Sequence, residues 1–357
     1  MALDFAGMTT LVTQRAQSAG TADYTVSEVD NAINNALSEL SSVYPHPVEV
    51  IFKVEGRYGQ ATSTSADNLV DTTKGHFLAA DATNEKVIHN TTDNLRAVVL
   101  TQASTAQIGL SVDIMTINDG YEIYNKQCWN HKQIYIGDIP QNAEVLSVEY
   151  PIGTRRNFKV LDRVLELIID RAVIPDTNSN TAKVTNLPNE DVLVRFNMAH
   201  QLSSLTDWSA TFSATAAVGA TTLSATALQS AGTINVGTEF TIENHKATYI
   251  VAASTTIASN TVIVSFYPPL ESAVSSTAWV ISIRKTSLEP KIEDIFADLA
   301  VARLELNRAP EFFNAISLGG GEVWRHFQSV GERKREEALS RLRRLIPPKT
   351  SRVYPRD

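Results

Sequence analysis

Cysteine is almost absent from this 357-residue chain. Cys128 stands alone, which excludes an intramolecular disulfide framework and a cysteine-rich metal site. No histidine or acidic motif frames it, so a small buried hydrophobe is expected there rather than a nucleophile. Apolar runs of about 18 residues are missing, and no membrane-spanning helix is expected. The first twenty residues hold Asp4 and no basic stretch ahead of an apolar core. That argues against a secretion signal and for synthesis and initial use in a cytoplasm.

The usual signatures of catalysis and phosphate binding are also lacking. There is no G-x-x-x-x-G-K-[ST], G-x-S-x-G, H-E-x-x-H or C-x-x-C. His46, His76, His89, His131, His200, His245 and His326 are scattered singly, as solvated or hydrogen-bonded histidines are. Asp176, Asn178 and Asn180 repeat the first three positions of a calcium loop. Thr181 then stands where that loop needs glycine and Leu187 where it needs glutamate, so a polar turn is the better reading. Gly319-Gly320-Gly321 precedes a helical pattern but follows no strand, which favours a hinge over an anion site. Carboxylates are plentiful, yet nothing singles out a glycosidase pair. The expectation is therefore a non-enzyme with no cofactor and no metal.

What is present describes a foldable chain, with 43% hydrophobic and 20% charged residues. Its length exceeds what one core usually serves, so two or three domains are expected. The net charge of −8 argues against general nucleic-acid binding. That average hides an asymmetry. Residues 322–357 hold ten Lys/Arg against five Asp/Glu, a surplus of +5, so the preceding 321 residues carry −13. The opposite signs can pair within one subunit or between neighbours.

Hydrophobic periodicity divides the chain. Phe5, Met8, Leu11, Val12 and Ala16 recur at helical spacing, with Gly20 as the stop. Thr25 and Glu28 have capping-box spacing, and Tyr24 and Val29 that of a hydrophobic staple. Val29, Ile33, Leu37, Leu40 and Val43 or Tyr44 make one stripe, ended by Tyr44-Pro45 and Pro47. Period two then takes over at Val48, Val50, Phe52 and Val54. Short strands are expected at Arg96–Thr101, Gln107–Val112 and Tyr121–Tyr124 in a small β-sandwich or barrel. More are expected at Gln133–Ile136, Glu144–Tyr150, Phe158–Leu161, Val164–Ile169 and Val192–Met198, with a polar loop over Pro175–Asn189.

Residues 206–286 are nearly uncharged, and about half of them are Ala, Ser or Thr. Strands are expected at Thr221–Leu223, Phe240–Ile242, Thr248–Val251, Thr261–Phe266 and Trp279–Ile283. The outline echoes residues 60–115, which suggests an architectural duplication. From Ser287 helical spacing returns. Pro290 suits a first turn, and Ile292, Ile295, Phe296, Leu299, Ala302 and Leu306 form an apolar face that Ala309-Pro310 should break. A last helix from about Glu322 presents Val323, Phe327, Val330, Ala338, Leu342 and Leu345 until Pro347-Pro348. The fold class read from this is α+β, a helical module formed by both chain ends with inserted β-sandwich or barrel domains. Its expected boundaries are 1–54 with 287–357 for the helices, 55–125 and 206–286 for two inserted β domains, and 126–205 for a central β region.

The last helix carries Arg333, Lys334, Arg335, Arg341, Arg343 and Arg344. Glu332, Glu336 and Glu337 are interleaved, which fits an exposed helix with i,i+4 ion pairs. Repeated around a ring, the same residues would face an acidic partner or passing DNA. No aromatic residue is interleaved before Tyr354, so base stacking is not indicated.

In this layout the chain resembles the head–tail adaptor (connector) proteins of tailed bacteriophages. The resemblance is carried by the helix Thr25–Tyr44 ending in Tyr44-Pro45, and by the late helix Lys291–Asn307 with its basic continuation Arg333–Arg344. The tract from Gly59-Gln60-Ala61-Thr62 through Asn68-Leu69-Val70-Asp71-Thr72 to Tyr121-Glu122-Ile123-Tyr124 looks like small β domains of phage structural proteins. So does the tract from Ala220-Thr221-Thr222-Leu223 through Phe240-Thr241-Ile242 to Val280-Ile281. Membership would imply a virion protein at the head–tail interface, a homo-oligomeric ring commonly of twelve copies. Its partners would be the portal protein and tail or other neck proteins, with non-specific proximity to packaged DNA and no membrane. Typical adaptors are much smaller, so the β insertions depart from the pattern. A tail or baseplate protein whose β domains bind a host surface is the alternative, and a polysaccharide-acting enzyme with β accessory domains a third reading.

Overall fold

The computed structural model describes residues 3–16, 24–55, 57–130, 132–137, 139, 143–169, 191–313 and 320–345, with side chains at 309–313 and 320–324 outside that description. The expected stop at Gly20, the polar loop Pro175–Asn189 with Asp176, Asn178 and Asn180, and the tail beyond Leu345 lie outside the described residues. The architecture is mixed α+β and divides into two compact units. One comprises Met1–His46, Met198–Ser204 and Lys285–Asp357, the other Pro47–Asn197 and Leu205–Arg284.

The first unit holds α1 (Phe5–Ala16) and α2 (Val26–Val43). The capping box forms: Glu28 N donates to Thr25 Oγ1 at 3.3 Å, and Thr25 N donates to Glu28 Oε2 at 2.6 Å. Val29, Ala32, Ile33, Ala36 and Leu40 are buried, and Tyr24 packs against the same core. After α3 (Ala79–Thr83) in the second unit come α4 (Pro290–Phe313) and α5 (Gly320–Leu345), back in the first. Ile292, Phe296, Leu299 and Leu304 of α4 and Ala338, Leu339 and Leu342 of α5 complete the core with Met8 and Val12. Each such side chain contributes about 1.5–3 kcal/mol on burial. The segment 198–204 is laced in by backbone bonds. Phe5 N donates to Ser203 O at 3.0 Å and Ser203 N to Lys285 O at 2.9 Å.

One expectation fails here: α4 does not break at Ala309-Pro310 but runs to Phe313. Gly320 and Gly321 lie in the first turn of α5, and Gly319, the first residue of the expected joint, lies outside the described residues. Pro310 forfeits one backbone bond close to the end of a helix already held by its buried face upstream. Glycine in a first turn costs little order, because the first N–H groups have no intrahelical partner in any case.

Among the described residues the regular structure of the second unit is β apart from α3. Chain order gives β1 (His46–Lys53), β2 (Tyr58–Gln60), β3 (Ser63–Ser65), β4 (Asn68–Val70), β5 (Val87–Asn90), β6 (Leu95–Ser104), β7 (Gln107–Leu110) and β8 (Gly120–Tyr124). Then follow β9 (Gln133–Tyr135), β10 (Glu144–Glu149), β11 (Arg155–Arg156), β12 (Phe158–Leu161), β13 (Val164–Leu167) and β14 (Asp191–Met198). The last group is β15 (Ser209–Phe212), β16 (Thr222–Thr226), β17 (Ala231–Ile234), β18 (Glu239–Ile242), β19 (Thr248–Val251), β20 (Thr255–Ala258), β21 (Val262–Tyr267) and β22 (Val280–Ile283).

Strands β2 to β8 form an open seven-stranded sheet in the order β2-β8-β5-β6-β7-β4-β3, over a core of Leu69, Phe77, Ile88, Ile108 and Ile123. Six strands close a barrel in the order β15-β16-β21-β19-β18-β22 around Phe212, Phe240, Tyr249 and Phe266. One sheet is open and the other closed, with different strand orders, so the duplication suggested by composition is not reproduced in topology. β1, which precedes them, joins strands from the sequence between them in a four-stranded sheet, β1-β14-β10-β11, and that intervening stretch also forms a three-stranded sheet, β12-β13-β9.

Candidate functional site

The basic helix α5 commits three of its seven Lys and Arg residues, Lys334, Arg335 and Arg341, to carboxylates of the other helices. Arg335 Nε donates to Glu39 Oε1 at 2.6 Å, and Arg303 Nε of α4 donates to Glu39 Oε2 at 2.8 Å. One buried carboxylate from α2 therefore grips two other helices. One helical turn apart on α4, Asp294 and Asp298 do the converse. Arg341 Nη1 donates to Asp298 Oδ2 at 2.7 Å and Nη2 to Asp294 Oδ2 at 3.1 Å, while Arg15 of α1 binds both carboxylates from the other side. The bonds from Arg15, then Arg341, hold the Asp294 carboxyl below its usual range. Lys334 Nζ reaches Glu305 Oε1 at 3.3 Å.

Of the six sequence-predicted cations, Lys334, Arg335 and Arg341 are thus committed within the unit. Arg333, Arg343 and Arg344 are exposed and have no ion pair among the described residues. The intrahelical pairs expected with Glu332, Glu336 and Glu337 do not form among the described residues. The carboxylates that matter come from α2 and α4. This leaves an exposed helix end bearing adjacent Arg343 and Arg344.

Also in the helical unit, His200 is buried where the segment 198–204 crosses Tyr44 and Ser287. Its Nε2 lies 2.8 Å from the Tyr44 carbonyl oxygen, which can only accept. Nδ1 must then accept the Ser287 hydroxyl, at 3.0 Å. Burial first, then the neighbouring His46, pushes the imidazole down to about 4. His46 sits with its ring centroid 5.5 Å away.

The second unit holds a buried ionic cluster that the sequence gave no reason to expect. Arg57 is 3% exposed and lies between two carboxylates. Its Nη2 donates to Glu55 Oε2 at 2.9 Å and to Asp81 Oδ1 at 2.6 Å, while Nη1 donates to the His76 carbonyl at 2.9 Å. Lys86 Nζ adds a bond to Glu55 Oε2 at 2.9 Å. Burial alone would raise the Glu55 carboxyl, but Arg57 and then Lys86 hold it far below the usual range. The only signal in sequence was two charges, Glu55 and Arg57, two positions apart at the end of an apolar strand.

Beside it runs a chain of hydrogen bonds. Tyr121 Oη donates to Asp71 Oδ2 at 2.7 Å and receives His76 Nε2 at 2.8 Å. Gly59 is required against this pair, because a Cβ there would lie 2.5 Å from both Asp71 Oδ2 and Tyr121 Oη. Burial, then the Arg57 charge, lowers His76 to about 4. A cavity of about 340 Å³ opens nearby, lined by Arg57, Asp81, Lys86, Ile136, Tyr267 and Leu270 among others. Lys53, Arg57, Lys86 and Lys126 stand on its wall against Glu55, Asp81 and Glu271, so both signs are mixed around the opening.

The remaining candidates are structural. Cys128 is buried and its thiol is pushed up to about 12 by burial, so it is not a nucleophile at neutral pH. His245 is held by Tyr249 Oη at 2.6 Å and Ser272 Oγ at 3.1 Å. Among the described residues no group of three His, Cys, Asp or Glu could hold a metal ion, and no helix is long and apolar enough to cross a membrane. Compared with known proteins, the chain matches no family model, no curated protein and no solved structure.

Proposed function

We propose that the chain is a structural protein of the neck of a tailed bacteriophage, a head–tail adaptor acting as a ring between the portal and the tail or next neck ring. The observation that carries this reading is the helical unit assembled from residues before 47 and after 284, with all of the β structure inserted between. Glu39 and the Asp294–Asp298 pair link its four helices through Arg303, Arg335, Arg341 and Arg15, around the shared apolar core. Arg333, Arg343 and Arg344 remain outward, available to an acidic partner face or to the phosphates of DNA in the channel. Such a part works by geometry and needs no cofactor. Its partners are the portal protein, tail or other neck proteins, passing DNA, and further copies of itself, twelve in the ring. Negative-stain imaging and native mass measurement of the chain with its portal test the reading. A closed ring on the portal is expected; a chain that stays monomeric and never joins the particle overturns it.

One observation favours a tail or baseplate protein instead. Trp129 is 64% exposed on the β unit, with the Arg96 guanidinium over its ring at 5.3 Å. An exposed indole on a β domain is a contact surface for a host-surface partner. Density for the chain at the distal tail, rather than at the neck, would decide for that reading.

A further inference from the structure

The open seven-stranded sheet has two faces. Ile88 and Ile123 pack into its core, and the neighbouring positions on the same strands point the other way. On that outer face the registers set Tyr58 opposite Glu122, Glu122 opposite His89 and His89 opposite Arg96, so the four form one row across β2, β8, β5 and β6. At the spacing of adjacent strands the row is about 14 Å long. Each end pairs an aromatic ring with a cation. The Arg96 guanidinium lies over the ring of Trp129 at 5.3 Å, and Lys74 Nζ lies over the ring of Tyr58 at 5.4 Å.

Between the ends the polar groups are fixed in place but not used up. His89 is held by Tyr124 Oη at 3.0 Å and Asn94 Oδ1 at 2.9 Å, and Tyr124 Oη donates to Glu122 Oε2. Glu122 Oε1, Asn94 Nδ2 and the guanidinium fork of Arg96 make no hydrogen bond among the described residues. The Glu122 side chain is 31% exposed, and Arg96 and Trp129 are exposed outright, so a ligand can reach all three.

We propose that this row binds a saccharide, a short run of neutral sugar rings laid across the strands from Trp129 toward Tyr58. A pyranose has an apolar C–H face and a rim of hydroxyls that both donate and accept. The aromatic rings match the first, while the donors of Arg96 and Asn94 and the acceptor of Glu122 match the second. Charge narrows the choice. A polyanion would meet Glu122, a polycation would meet Arg96 and Lys74, and an apolar peptide face would strip water from all of them without pairing them. Strands rather than loops carry the row, which keeps its spacing fixed. The proposal rests on the same exposed indole as the tail reading and is independent of the neck reading.

Titration of the full chain with short oligosaccharides of glucose, galactose, mannose and N-acetylglucosamine tests it, read by calorimetry and tryptophan fluorescence. At least one should bind and change the indole emission. Trp129→Ala and, separately, Arg96→Met should each weaken that binding about tenfold or more. Trp129→Phe should recover most of it, which a folding defect at this position would not allow. Ile263→Ala, an exposed position on the barrel, should leave binding unchanged. No binding by any of the four sugars at millimolar concentration overturns the proposal, and so does binding that survives both Trp129→Ala and Arg96→Met. Distal-tail density for a chain that binds none of them would overturn the saccharide site while leaving the tail reading standing.

Discussion

Glu39 and Arg335 stand 296 residues apart in sequence, yet the Arg335 guanidinium donates to the Glu39 carboxylate at 2.6 Å. The same carboxylate holds Arg303, so three helices depend on it. Glu39→Ala should lower the unfolding free energy of the helical unit by about 1–3 kcal/mol, as expected for losing charge-assisted bonds to a buried acceptor. Urea denaturation followed by helical circular dichroism checks this. Arg335→Ala should cost less, since Arg303 would still satisfy Glu39.

The exposed end of the same helix should behave differently. Arg343→Glu with Arg344→Glu touches no ion pair among the described residues, and the variant should melt with the native protein. Incorporation into particles should fall, and its salt dependence should flatten. Normal incorporation would remove these two residues from the partner-facing surface.

Acid should destabilise the helical unit through His200. Its folded value of about 4 lies below the ordinary 6.5, so the unfolded chain binds the proton first as pH falls. Stability is therefore full above about pH 6.5 and declines toward pH 4, by up to about 3 kcal/mol. His200→Asn should flatten that stretch of the pH–stability curve. An unchanged slope would assign the effect elsewhere.

Arg57→Met would leave Glu55 and Asp81 buried with one counter-charge, Lys86, between them. A loss of about 3–5 kcal/mol is expected for breaking a buried pair from one side. Adding Glu55→Gln and Asp81→Asn should recover part of it, because the uncompensated charges go too. The measurement is urea unfolding read through the β signal, and a near-neutral single variant would contradict the cluster's importance.

Gly59→Ala is a finer probe of the neighbouring chain of bonds. The added methyl would press on Asp71 and Tyr121 in the core, and overpacking of this kind costs about 1–3 kcal/mol. Thermal melting would register it, and a melting point equal to that of the native chain would show that the two side chains move aside freely.

What could be read in the sequence was local. Thr25 and Glu28 fix the start of α2 by themselves, and the period-two run from Val48 finds its strand because burial on alternate positions leaves a direct trace. Pro310 misled because a proline's local cost is visible in sequence, while the packing that carries α4 past it is not. The ionic cluster was hidden for the same reason: Glu55, Arg57, Asp81 and Lys86 come from separate stretches and resemble surface charges until the fold buries them. Likewise, the cations of α5 suggested one basic face. The split between clamped Arg335 and Arg341 and outward Arg343 and Arg344 depends on where α2 and α4 place Glu39, Asp294 and Asp298.

The discontinuity of the helical unit bears on how the protein is made. Helices α1 and α2 leave the ribosome early, but the partner for their apolar stripe, α4, begins only at Pro290. Through most of translation the two helices have only each other to pack against, while the β sheets between can already close. A polypeptide interrupted before Pro290 would display folded β domains and no helical module. The helical core therefore closes only once synthesis has passed Pro290.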